Sequence, residues 1–451
     1  MRIITLQKDI SAFLEKLRLR ASGEDNSVEN PVRAIIKDVR ENGDAAVLKY
    51  TQKFDDRNAV KLRLSPAEIS KFADKADKKI VRALELSAKR IRKYHEMQIE
   101  RSWSFTEGDT ILGQSIRPLS RIGVYVPGGK AAYPSSVMMN VVPAQVAGVK
   151  DIALCVPVPD GQVNPYVMAA VRMLGISEVY RIGGAQAVAA LAYGTKSIRK
   201  VDKIVGPGNT YVATAKRMVF GTVDIDMIAG PSEILVLADN SANPSFIAAD
   251  LLSQAEHDEL ASPVLITDSA DLAKKTAAEL ASQLSGLSRK KIAEASVNNY
   301  GAIIVTKSIE EAVALSNKIA PEHLEIMTAK PMDLLPCIDN AGAVFLGPWT
   351  PEAVGDYSAG PNHTLPTGGT SRFFSPLGVY DFYKRSSIIG FTKKGFLRIS
   401  DIVEVIADTE GLEAHANTIR VRKYGTPGGK RQRPAANIKS PTTNIKRKDS
   451  R

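Results

Sequence analysis

Apolar positions recur at two periods along the chain, and the change of period divides it. Ile10, Phe13, Leu14 and Leu17 follow an i, i+3, i+4, i+7 spacing, the single apolar face of a helix that packs on a neighbour. The pattern stays helical from Asn30 to about Trp103, where charged stretches such as SAKRIRKYHEMQIERS separate Ile91, Tyr94 and Met97 and form a solvated face. From Arg121 short β-rich runs take over: RIGVYVPGG, then DIALCVPVP from Asp151, EVYRIGGAQ from Glu178 and KIVGPGN from Lys203. Their starts lie 30, 27 and 25 residues apart, and a helical stretch follows each. That spacing is what a crossover needs to bring the next strand back parallel. After Gly230 the alternation resumes through SEILVLAD, FIAADLLSQAEH, PVLITDS, YGAIIVTK and AGAVFLGPW. The expected fold class is α/β, with two Rossmann-like doubly wound α/β domains behind a helical N-terminal segment. Beyond about Phe374 come short mixed segments and a final helix, EGLEAHANTIRVRKYG.

Composition adds limits. The 451 residues are 44% hydrophobic and 24% charged, with 32 Gly and 24 Pro, which excludes wholesale disorder and fibrous repeats. Two cysteines, Cys155 and Cys337, give no disulfide framework and no CxxC pair, so a reducing cytoplasm is expected. No apolar run approaches a membrane span, and Lys8, Asp9 and Glu15 interrupt any signal core, so no membrane partner is expected. Of the net charge of +11, residues 429–451 carry eight Lys or Arg against Asp449, leaving +7 on the tail and +4 on the rest. Such a tail has too few apolar residues to order itself. With no interleaved aromatics it is a weak argument for nucleic-acid binding, which is not expected.

Three glycine-rich turns follow expected strands: VPGGKAAYPSS at 126–136, RIGGAQAVAAL at 181–191 and GPGNTYVATA at 206–215. None is GxGxxG. Glycine there admits close backbone approach, and the next helix N-terminus favours phosphate, so three in one domain suggest a nucleotide at the carboxyl ends of the strands. Histidine is rare, five in the chain. His95 sits on a charged helix and is given no function. Gln254 and His257 are three apart and share a helix face, suitable for one metal or incidental. Glu322 precedes His323 after a proline, two acid/base groups that on an extended chain point apart. His363 lies in the loop DYSAGPNHTLPTGG, seven residues after Asp356, and His415 follows Glu410 by five. A catalytic zinc takes three N, O or S groups and leaves one position open. The pool is His257, His323, His363, His415 and nearby carboxylates, and spacing does not choose among them.

The stretches RIGVYVPGGKAAYPSSVMMN, GGAQAVAALAYGT, VDKIVGPGNTYVATAKR, IDMIAGPSEILVLAD, LLSQAEHDELAS, APEHLEIM, DYSAGPNHTLPT and EGLEAH, in this order, closely resemble the histidinol dehydrogenase family. The resemblance spans roughly residues 30 to 425. It implies zinc ligands at Gln254, His257, Asp356 and His415, the metal orienting an amino alcohol through its amine and imidazole. Ser232, His323 and Glu410 would be further substrate contacts, and His363 would line the same pocket. NAD contacts would be Tyr125, Gln186 and Asn209. Glu322 and His323 resemble the family's acid/base pair, His323 as the base in alcohol oxidation and Glu322 activating water for the aldehyde. The implied reaction is L-histidinol to L-histidine through L-histidinaldehyde with two NAD+ and one zinc per subunit, the last steps of histidine biosynthesis. The implied assembly is a homodimer in which Glu410 and His415 serve the other subunit's site.

The division expected is a helical segment over 1–29, an α/β domain over 30–114 and 231–374 holding most catalytic and metal residues, an NAD-binding domain over 115–230, a dimerisation arm over 375–428 and the basic tail. Two departures stand out: Arg199 replaces a common proline, a change expected to be neutral, and the tail exceeds the family's usual end. A relative oxidising another polar alcohol is the near alternative, against which His363, Glu410 and His415 argue. Cys155 reads as a small core residue.

Overall fold

The computed structural model describes residues 1–22, 26–128 and 133–425; the basic tail at 429–451 and residues 129–132 of the first glycine-rich turn lie outside them. The chain opens with β1 (Arg2–Ile4) and α1 (Gln7–Ser22), followed by α2 (Asn26–Phe54), β2 (Arg63–Leu64), α3 (Pro66–Ala73) and α4 (Lys78–Glu96). A hairpin of β3 (Trp103–Glu107) and β4 (Thr110–Pro118) precedes β5 (Arg121–Tyr125), α5 (Pro134–Ala147), β6 (Asp151–Cys155), α6 (Pro165–Met173), β7 (Glu178–Tyr180), α7 (Gly184–Tyr193), β8 (Lys203–Val205), α8 (Thr210–Val219) and β9 (Asp224–Ile225). These form a six-stranded sheet in the order β2-β7-β6-β5-β8-β9, parallel except for β2. Every residue of β5 is buried, as a strand covered by helices on both faces requires. From β5 the chain winds outward through β6 and β7, then returns to β8. The switch point therefore lies between β5 and β8, beside two of the glycine-rich turns.

The second sheet takes β10 (Glu233–Ala238), α9 (Pro244–Ala255), β11 (Ser262–Thr267), α10 (Ala270–Ser285), α11 (Lys290–Tyr300), β12 (Ala302–Val305), α12 (Ile309–Ile319), β13 (His323–Met327), a short α13 (Pro331–Leu334) and β14 (Ala343–Leu346). Its order is β1-β12-β11-β10-β13-β14, all parallel. Its switch point falls between β10 and β13. A turn of helix, α14 (Glu352–Val354), a long loop and β15 (Tyr383–Phe391) lead to α15 (Lys393–Thr409) and α16 (Glu413–Tyr424). No helix among the described residues is long and apolar enough to cross a membrane.

The grouping differs from the expectation at both ends of the first hundred residues. Residues 1–29 are no separate helical segment: β1 pairs with β12, and Ile10 and Phe13 of α1 enter the core formed by Leu235, Ile266, Leu324 and Ile326 of the second sheet. Residues 30–100 go instead with the first sheet. Val32, Ile35 and Val39 pack with Val188 and Val212, and Leu64 and Ile69 pack with Val124 and Val179. The physical reason is β2, whose pairing with β7 ties this segment to that sheet's edge. Of Ile91, Tyr94 and Met97 only Ile91 is buried, while His95 is fully buried with Nδ1 2.8 Å from the Ile91 carbonyl. The described residues divide into two compact units, those of 1–100 with 117–384, and those of 101–116 with the chain from 385 on. Residues 101–114, expected in an α/β domain, thus join the C-terminal arm, because β4 lies between β3 and β15 in a three-stranded sheet. In that second unit Arg420 of α16 holds Glu404 and Asp408 of α15 at 2.9 and 2.6 Å.

Candidate active site

Helix α12 ends at Ala320, which takes a left-handed φ of 56°. A non-glycine residue there stores strain that its surroundings must hold, and Ser371 does so by donating to the Ala320 carbonyl at 2.7 Å. The sharp turn delivers Glu322 and His323 to the amino end of β13, both buried. The adjacent β10 begins at Glu233, whose N–H donates to the Glu322 carboxylate at 2.9 Å and whose carbonyl accepts from His323 Nδ1 at 2.9 Å. One peptide segment thus orients both side chains, and the two come within 3.7 Å of each other despite being sequence neighbours.

With Nδ1 spent on Glu233, His323 Nε2 is left buried and unpartnered. It faces Glu352 at 3.9 Å and Asp356 at 3.8 Å. Burial alone would lower the His323 pKa, but Glu352, Glu322 and Asp356 together hold it well above its ordinary value. Burial pushes the Glu322 carboxyl up to about 8 and Glu352 up to about 7. Behind them the Glu325 carboxylate, also raised by burial, accepts the Glu352 N–H at 2.7 Å.

His257 stands just past the end of α9, and its ring joins Glu352 and Asp356 in a group whose ligand atoms all lie within 4.8 Å of one another. One imidazole nitrogen with two carboxylates is a donor set suited to zinc, and the buried, unpartnered Oε2 of Glu352 is a free acceptor. Of the expected ligands, the fold brings together His257 and Asp356. Gln254 is buried one turn back, its amide 3.2 Å from His323 Nδ1. His415 and Glu410 lie in the second unit, both exposed. Glu352 was missed by sequence reasoning; its signal was the four-residue spacing to Asp356 in PEAVGD, which repeats on one helical face. Ser232 is half-buried at the head of β10, its carbonyl accepting the Ser262 N–H. His363, half-buried, sits with Nδ1 3.1 Å from the Asp356 carbonyl. Its loop is pinned by Asn362 to the Met139 carbonyl at 2.6 Å and by Ser87 to the Tyr357 carbonyl.

The three residues expected at a nucleotide lie on the first sheet. Tyr125 ends β5, buried, its hydroxyl accepting the Gly184 N–H at 3.1 Å at the start of α7. Gln186, on the first turn of α7, is buried with Nε2 unpartnered, a donor available to a ligand. Asn209 is exposed and caps α8 through the Val212 N–H. Gly206 is indispensable to its turn, since it takes φ +112° and an added Cβ would stand 2.0 Å from the Tyr125 carbonyl oxygen.

The family model for histidinol dehydrogenase matches residues 18–423. The chain belongs to the histidinol dehydrogenase family. A histidinol dehydrogenase of Geobacter metallireducens is 54% identical over 425 residues, 93% of this chain and 97% of the relative. One from Aquifex aeolicus is 52% identical over 428 residues, 94% of this chain and all of its own. The crystal structure of histidinol dehydrogenase from Elizabethkingia anophelis superposes with a TM-score of 0.89 at 37% identity, covering 94% of this chain and 98% of that one. A histidinol dehydrogenase is an oxidoreductase, and the buried acid/base pair fits that class.

Proposed function

We propose that this chain oxidises L-histidinol to L-histidine through L-histidinaldehyde, using two NAD+ and a zinc ion, at the site built on Glu322, His323, His257 and Asp356. The observation that carries the reading is the buried Nε2 of His323, unpartnered and held in one orientation by Glu233, in a member of this family. Gln254, His257, Asp356 and His415 would hold the metal, which when bound orients the amine and imidazole of the substrate and the reacting carbon. Ser232, His363 and Glu410 would contact the substrate. Glu410 and His415 stand exposed on the second unit, where Ile402, Val405 and Ile406 of α15 are also exposed apolar residues; this supports a homodimer in which they serve a second copy.

In its neutral form His323 takes the hydroxyl proton on Nε2 as hydride leaves carbon for the nicotinamide, giving aldehyde and the first NADH. Glu322, a strong base when ionised because burial raises it to about 8, removes a proton from the water that adds to the aldehyde. His323 returns its proton to the aldehyde oxygen as the water adds. The neutral imidazole then takes a hydroxyl proton from the hydrate while a second NAD+ takes the hydride, and the carboxylic acid formed ionises to carboxylate. Tyr125, Gln186 and Asn209 would hold the nucleotide, with the α7 and α8 N-termini favouring its phosphates. The test is NADH formed per L-histidinol consumed, before and after chelation. Two NADH per substrate, lost with chelator and restored by zinc, is expected; purified protein with added zinc that leaves L-histidinol unchanged would overturn the reading.

A further inference from the structure

The peptide that orients Glu322 and His323 is itself gripped from the far N-terminus. Arg20, in the last turn of α1, has a side chain only 1% exposed and pairs with the Glu233 carboxylate. Its second terminal nitrogen donates to the Leu260 carbonyl at 2.7 Å, three residues beyond His257, and its guanidinium lies 5.6 Å from the Tyr300 ring centroid. Helix α1 is fixed in turn by Ile10 and Phe13, which pack on Leu235 and Leu237 of β10 and Leu324 and Ile326 of β13. The guanidinium fork therefore ties the loop that follows His257 to the residue whose main chain sets both acid/base side chains. Lysine cannot reproduce this, because a point charge lacks the two-pronged geometry.

We infer that Arg20, acting through Glu233, is a positioning residue for the Glu322–His323 pair, so that the N-terminal helix governs the chemical step. The inference rests on the proposed oxidation for its kinetic consequence alone. A buried fork that holds two segments in register preserves reacting-atom placement, and displacement by about 1 Å can cost about a hundredfold in rate. The nucleotide turns stand on the other sheet, and none of their described residues bonds to Arg20.

The experiment compares wild type with Arg20→Gln, Arg20→Lys and the control Arg18→Gln, whose residue forms an exposed pair with Glu15 on the same helix. Assays run well below each melting midpoint. Arg20→Gln is expected to lower kcat for L-histidinol about tenfold or more while KM for NAD+ stays within about twofold. Arg20→Lys, which keeps the charge on Glu233, recovers part of the loss, and Arg18→Gln changes nothing. Should Arg20→Gln fail to fold, Arg20→Gln/Glu233→Gln removes the stranded carboxylate and is expected to show the same kcat loss. Independently of turnover, the His323 imidazole N–H proton, identified by its absence in His323→Gln, should exchange with water about tenfold faster in the Arg20→Gln protein, as its acceptor on Glu233 loosens. A folded Arg20 variant with wild-type kcat and unchanged proton exchange would overturn the inference. If wild type fails to oxidise histidinol while the proton effect persists, the proposed substrate falls and the positioning role stands.

Discussion

The turn after β8 is held by an ion pair that can be dismantled in steps. Lys216 and Asp226, with side chains 3% and 1% exposed, pair with each other. Lys216 also donates to the Gly206 carbonyl at 2.9 Å, while the Asp226 carboxylate accepts the Gly206 N–H and the Met227 N–H, each at 2.7 Å. Lys216→Met would strand a buried carboxylate, at a cost of about 3–5 kcal/mol, and should lower the melting midpoint by roughly 5–15 °C. Asp226→Leu would strand the ammonium at a similar cost. The double change Lys216→Met/Asp226→Leu removes both charges, and for a pair that served only itself that exchange would be close to neutral. Here it also orphans both polar groups of Gly206 and the Met227 N–H. The double variant should therefore stay about 2–4 kcal/mol below wild type, well above the sum of the single losses. Thermal unfolding of the four proteins measures the cycle, and KM for NAD+ should rise in every variant because Gly206 precedes the Asn209 cap of α8. A single Lys216→Met loss under about 1 kcal/mol, or a double variant level with wild type, would refute this reading of the turn.

His323→Gln should lower kcat by about a hundredfold to ten-thousandfold, the usual contribution of a general base, with KM for NAD+ unchanged; steady-state kinetics with both substrates varied checks it. Burial opposes ionisation of Glu178, but hydrogen bonds from Arg121 and Tyr180 bring its pKa down from 4.5 to about 2. A depressed carboxyl stabilises the fold above its unfolded pKa and loses that stabilisation as pH falls through the folded value. Wild type should therefore lose up to about 3 kcal/mol between pH 4.5 and 2 that Glu178→Gln does not lose, seen as diverging melting curves in acid. Arg199 pairs with Asp151 at 2.8 Å but is 68% exposed, so Arg199→Ala should cost under about 1 kcal/mol in a denaturant titration.

Pattern carried far in this chain where strands recur at regular spacing between helices and failed where a short strand stands outside that alternation. The four runs from Arg121 to Lys203 became β5, β6, β7 and β8 because each turns apolar after one charged residue and a crossover helix separates it from the next. By contrast β1 and β2 have three and two residues, too few to show a period, yet they decide which sheet the first hundred residues join. The same holds for the site. His257, His323 and Asp356 were visible as rare or clustered types, whereas Glu352, Glu233 and Arg20 look in sequence like the solvated charges around them. What sets them apart is burial, at 2% and 7% exposure for the two carboxylates and 1% for the arginine side chain, and burial arises only once strands from distant segments lie side by side. The resemblance to a family supplied His415 and Glu410, which no spacing argument selected.

One alternation of strands and helices builds two ends of opposite electrostatic sense. On the first sheet the glycine-rich turns stand at the carboxyl ends of β7 and β8, where the N-termini of α7 and α8 present a partial positive charge. That end suits an anion, as the proposed dinucleotide requires. On the second sheet Glu322, His323 and Glu233 stand at the amino ends of β10 and β13, the opposite end from the usual ligand position of open α/β folds. Helix α9 runs back along this sheet, so its C-terminus, with a partial negative charge, arrives at the same end carrying Gln254 and just ahead of His257. Glu352 and Asp356 add carboxylates to it. That end suits a cation. The two proposed cofactors, of opposite charge, need two such ends, and using the carboxyl ends of one parallel sheet and the amino ends of another supplies both with one kind of repeating unit.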